Sequence, residues 1–165
     1  MGVLKTIEDI SIWSGKIVSF LVWAGAVMLA WEVAARYVFN APTVWAHGYS
    51  QRLFGTYFIL VGAFTLARGG HVRIDLITNR FSFRARKFFD LLNYAFLILW
   101  AGVLITEGWL FFMNSWSMRE VDEMVLAHPV YPVKFMLLLG AVLILLQGAA
   151  MSVSTIASLI RGNTE

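Results

Sequence analysis

Four apolar runs, each long enough to cross a bilayer, take up most of this 165-residue chain, at about residues 17–38, 48–67, 88–113 and 135–160. The first opens as IVSFLVWAGAVMLAWEVAA from Ile17 to Ala35. A hydrocarbon core about 30 Å thick is spanned by about 20 mostly apolar helical residues. In lipid, a backbone must satisfy its own polar groups, so such runs read as helices. The segments between them are too short to house a soluble catalytic domain. The sequence therefore predicts an all-α integral membrane protein: a single four-helix membrane domain over residues 1–165, multi-pass, with no enzymatic centre.

Only 14% of the residues are charged, against about a quarter in an ordinary soluble domain. The net charge of +3 and a pI near 9.5 are not read as a nucleic-acid signature, because the basic residues gather in one short segment between runs. There is no cysteine, hence no disulfide, thiolate nucleophile or sulfur-bound metal. Lys5 and Lys16 before the first run, with Ala24-Gly25-Ala26 inside it, imitate a cleaved leader, but that triplet lies mid-run and no cleavage is expected.

Basic residues in short connections are retained on the cytoplasmic side. Between runs two and three stand Arg68, Arg73, Arg80, Arg84, Arg86 and Lys87 against Asp75 alone; between runs three and four, Arg119 and Lys134 face Glu120, Asp122 and Glu123. The first connection is thus predicted cytoplasmic and the second external, with both termini cytoplasmic. Trp31, Trp45, Trp109 and Trp116 fall at the predicted external ends, where amphipathic rings collect, whereas Trp23 and Trp100 fall mid-span. The third and fourth runs correspond to roughly 39 Å of helix each, so they should tilt or protrude.

Glu32 and Glu107 stand out because a charge inside a span costs at least about 2.5 kcal/mol. Arg36, four positions after Glu32 on one helical face, makes an ion pair the plain explanation there, while Glu107 has no such neighbour. A proton or cation relay is the rival reading, though no deeper acids supply a path. Asn93, Trp100, Glu107 and Asn114 recur every seven residues in run three, and Gly140, Gln147 and Ser154 in run four. These predict a shared polar seam along which the two helices pack antiparallel, Trp100 level with Gln147. In run one, Ala26, Ala30 and Ala34 form a ridge of small residues nearly opposite Glu32 and Arg36, and a helix with two such faces calls for a protein partner. His47, His71 and His128 lie outside the span cores, which argues against axial haem ligation.

Arg36-Tyr37-Val38-Phe39-Asn40-Ala41-Pro42 with Trp45, then Gly62-Ala63, then Ala67-Arg68-Gly69-Gly70-His71-Val72-Arg73-Ile74-Asp75, resembles the small membrane subunit (DctQ type) of tripartite ATP-independent periplasmic (TRAP) transporters. Pro129-Val130-Tyr131-Pro132-Val133-Lys134 and Leu145-Leu146-Gln147-Gly148 resemble it too; His47-Gly48 departs from it, where many members carry paired acids. The resemblance implies a bacterial inner-membrane scaffold in a secondary active, sodium-coupled uptake system for organic acids. A larger membrane subunit would bind substrate and sodium and move, and a periplasmic binding protein would deliver the substrate. No cofactor is then expected in this chain. Pro42 is read as stopping the first helix, Trp45 as anchoring the interface and Gly69-Gly70 as ending span two. Arg80, Arg84, Arg86 and Lys87 are candidate ligands for anionic phospholipid headgroups. Ala26, Ala30, Ala34, Glu32, Arg36, Trp45, Glu107 and Gln147 are candidate structural or partner-interface residues. The alternatives are a standalone four-span carrier or channel lined by Glu32, Glu107 and Gln147, and a membrane anchor for a redox enzyme.

Overall fold

A computed structural model describes residues 2–69, 82–124 and 126–161. Among them lie four helices: α1 (Gly2–Tyr37), α2 (Ala46–Ala67), α3 (Phe83–Ser117) and α4 (Tyr131–Arg161). Their 36, 22, 35 and 31 residues correspond to about 54, 33, 52 and 46 Å of helix. Stretches within α1, α3 and α4 are long and apolar enough to cross a membrane. α2 is not among them, because His47, Ser50, Gln51 and Arg52 dilute its first turns.

The helix ends have local causes. α1 stops at Tyr37, five residues before Pro42, and it is Asn40 that turns the chain: its φ of 52° is a left-handed conformation that asparagine tolerates better than most residues. Pro42 follows the stop without making it. After α2, Gly69 takes φ 66° and its N–H reaches the Leu66 carbonyl at 3.1 Å. Ser82 caps α3 by accepting from the Ala85 N–H.

Neighbouring helices interlock by setting large side chains on glycines. A Cβ on Gly15 would lie 2.3 Å from Phe64, and one on Gly25 would lie 2.6 Å from Phe54, so α1 and α2 approach closely along an antiparallel line. α4 occupies the middle. Gly140 receives Ile59 of α2, and Gly148 receives Leu97 of α3. Between membrane helices no water is expelled, so tight contact of this kind supplies much of the association energy. α1 also touches α4, where the buried Ser11 Oγ donates to Gln147 Oε1 at 2.9 Å.

The seam between α3 and α4 differs from the one predicted. The buried line on α3 is Tyr94, Ala101, Gly108 and Ser115, one residue on from Asn93, Trp100, Glu107 and Asn114. The seven-residue period holds, but the helix is turned by about 100°. Ala101, Gly108 and Ser115 let the backbones close, whereas Trp100 and Glu107 would hold them apart; Trp100 is 61% exposed and Glu107 is exposed as well. On α4, Gly140 and Gln147 are buried, Ser154 is exposed, and Thr155 lies inside in its place. Gln147 therefore bonds to α1 and does not face Trp100.

Candidate functional site

A set of interlinked polar side chains lies at the end of the bundle where residues 38–45 join α1 to α2 and residues 118–130 join α3 to α4. Glu32, half-buried on the bundle side of α1, accepts from Arg36 Nε at 3.1 Å, from the Thr43 N–H at 3.1 Å and from the Thr43 hydroxyl. One carboxylate thus holds the α1–α2 connection against its own helix. Asp122 does the same for the other connection: it pairs with Arg52 of α2 and accepts from the backbone N–H groups of His128 (3.0 Å) and Met124 (3.3 Å). A short antiparallel bridge joins Val121 to Pro129, and Lys134 pairs with Glu120 while lying 3.8 Å from the centre of the Phe111 ring.

These contacts set the ionisation of the two loop acids. Partial burial pushes the Asp122 carboxyl up, but the Arg52 guanidinium and the two amides outweigh it and hold the group below the ordinary carboxylate range. Lys134, paired with it, holds Glu120 below that range as well. Around them runs an aromatic layer. Phe112 meets Trp109, Trp116 and Phe135 at 5.4–6.2 Å, Trp116 stands edge-on to Tyr131 at 4.9 Å, and Tyr49 links Trp45 to His128.

Two outer faces carry the remaining candidates. On α1, Ala26 and Ala30 are exposed and Ala34 is half-buried, beside an open apolar groove of about 660 Å³ lined by Trp23, Ala24, Val27, Met28, Trp31 and Trp45. On α3, Glu107 projects outward and, among the described residues, makes no hydrogen bond or ion pair. Glu32 and Arg36 are brought together as their spacing predicted; Gln147 is inside and Glu107 outside, so the three groups of the carrier reading do not line one path. Arg84 and Arg86 are exposed and Lys87 is half-buried, 5.7 Å from the Phe83 ring centre. Arg80 and the His71–Asp75 motif lie outside the described residues. No group of three His, Asp or Glu among the described residues is placed to hold a metal ion.

Sequence reasoning passes over three positions that tie the bundle together: Ser11, Arg52 and Asp122. Arg52 lies inside the second apolar run, so the rule that singles out Glu32 and Glu107 applies to it equally. Ser11 precedes the first run and carries no such signal.

Helices closed on one another by glycine contacts, a polar clasp over two of the connections and two uncovered flanks define a multi-pass helical membrane component. Residues 25–158 match the sequence model of the family described as tripartite ATP-independent periplasmic transporters, DctQ component, and the chain belongs to that family. It is a small membrane subunit of a TRAP transporter, a transport component by family and an associate of a large membrane subunit and a binding protein. A comparison with curated proteins returns no match.

Proposed function

We propose that this chain is a fixed, non-catalytic support in the inner membrane, crossing it four times with both termini in the cytoplasm, and that it transports nothing alone. The larger subunit would bind an organic acid and sodium and move against it, while the periplasmic protein delivers the substrate. The observation that carries this reading is the closed interior. Phe54, Phe64, Ile59 and Leu97 fill the spaces over Gly25, Gly15, Gly140 and Gly148, and among the described residues the buried polar groups, Ser11, Ser50, Ser115, Gln147 and Thr155, are scattered with no continuous path between the two ends. A closely packed interior of this kind suits a support better than a carrier.

Docking is assigned mainly to α1 and the clasped end, where the alanine ridge offers a close-approach surface beside Trp23 and Trp31. Arg80, Arg84, Arg86 and Lys87 would bind anionic headgroups and keep the bundle at constant depth. Reconstitution tests the function: liposomes holding this chain alone should show no sodium-driven uptake, and uptake should appear when the larger subunit and binding protein are added. Accumulation by the chain alone would favour the carrier, and a haem spectrum would favour the redox anchor. Because the chain lacks cysteine, single cysteines at Ser82 and Glu123 report orientation directly. An impermeant reagent outside intact cells should label the second and spare the first.

A further inference from the structure

The uncovered flank of α3 is not an ordinary lipid-facing surface. Phe96, Trp100, Val103, Leu110 and Asn114 share it with Glu107 and all are exposed. Glu107 stands ten residues before the end of α3 at Ser117, about 15 Å along the axis. Lys134 is one turn nearer the clasped end, over Phe111, and is already paired with Glu120. A long side chain at this depth could snorkel to water. Glutamate cannot do so here, because helical side chains lean toward the helix N-terminus, and for α3 that direction leads away from the clasped end and deeper among Trp100 and Phe96. The Trp100 indole N–H, one heptad further in, likewise has no acceptor among the described residues. The flank therefore presents a carboxylate and a donor, about 10 Å apart along the axis, with nothing among the described residues to satisfy either.

We propose that this α3 flank is a second docking face for the larger membrane subunit, covered by a transmembrane helix that places an arginine or lysine against Glu107. The proposal rests on the support reading above and adds a contact to it. Charge complementarity selects the occupant. A lipid tail leaves the carboxylate unsatisfied, and a second copy of the chain would bring a like charge to the same depth, whereas a cationic side chain removes the cost of both charges at once. Because the Tyr94–Ser115 seam to α4 lies on another side of α3, the face is available without disturbing the bundle.

The test uses the assembled transporter. Wild-type chain should co-purify with the larger subunit. Glu107→Lys and Glu107→Leu should each weaken that association by about tenfold or more, since each leaves a buried cation unpaired. The thermal unfolding of the isolated small subunit should be unchanged in both. A photoreactive residue replacing Val103 should cross-link to the larger subunit in the wild-type background. Co-purification of Glu107→Leu at the wild-type level, or cross-links from position 103 to lipid only or to a second copy, would overturn the proposal and leave the support reading standing. Failure of the wild-type chain to co-purify would remove both.

Discussion

Gln147 is 4% exposed and its bond to Ser11 ties α4 to α1 across a gap that no loop spans. Interhelical hydrogen bonds in membranes average about 0.6 kcal/mol and reach about 1.7 kcal/mol. A double-mutant cycle with Ser11→Ala and Gln147→Leu should therefore return a coupling within that range, read from unfolding in detergent; zero coupling would mean the pair is incidental. Asp122 and Glu120 are held below the ordinary carboxylate range, so their contribution to the clasp is complete above that range and fades as pH falls through their lowered values. Protease resistance of the 118–130 connection should hold at pH 7 and decline below about pH 4. Asp122→Asn should loosen the connection at neutral pH and flatten that dependence. Of these residues the Glu32–Arg36 pair was legible from spacing alone, since both partners sit on one helix. The Arg52–Asp122 pair was not, because its partners are 70 positions apart and only the tertiary arrangement joins them.

At the level of elements, the four apolar runs coincide with four helices, while the contact lines between helices were harder to read. The seven-residue period of α3 was visible in Asn93, Trp100, Glu107 and Asn114, but the neighbouring register of small residues is the one that packs. Polarity marks a residue as needing a partner without saying whether that partner belongs to the same chain. Size decides which face can close on a neighbouring helix. Run boundaries also mislead, since α1 extends back to Gly2, fifteen residues before the apolar run begins at Ile17, and so carries Ser11 into the bundle. The size rule predicts a contrast between glycines. Gly140→Ala would press its Cβ within 2.9 Å of the Ile59 backbone oxygen and should cost about 1–3 kcal/mol. Gly102→Ala, with open space around it, should be neutral or slightly stabilising. Thermal melts of the two variants in one detergent check this, and equal losses would contradict it.

For the whole molecule, the two-sided character of α1 makes a prediction separate from that of α3. Ala30→Leu should weaken co-purification with the larger subunit while leaving the melting temperature of the small subunit within a few degrees, because Ala30 is exposed in the bundle. The same arrangement bears on how the protein is made. On the four-span topology, α2 must enter the bilayer without the apolar stretch that the other three helices possess. It leaves the ribosome directly after α1, whose Gly15 and Gly25 are shaped to receive Phe64 and Phe54, so the hairpin is the unit that partitions into lipid and α2 enters as the dependent half. In a translocon insertion assay, residues 1–69 should therefore integrate α2 efficiently, and replacing Gly15 and Gly25 by leucine should leave α2 stranded at the surface during synthesis, before α3 or α4 exists to retrieve it.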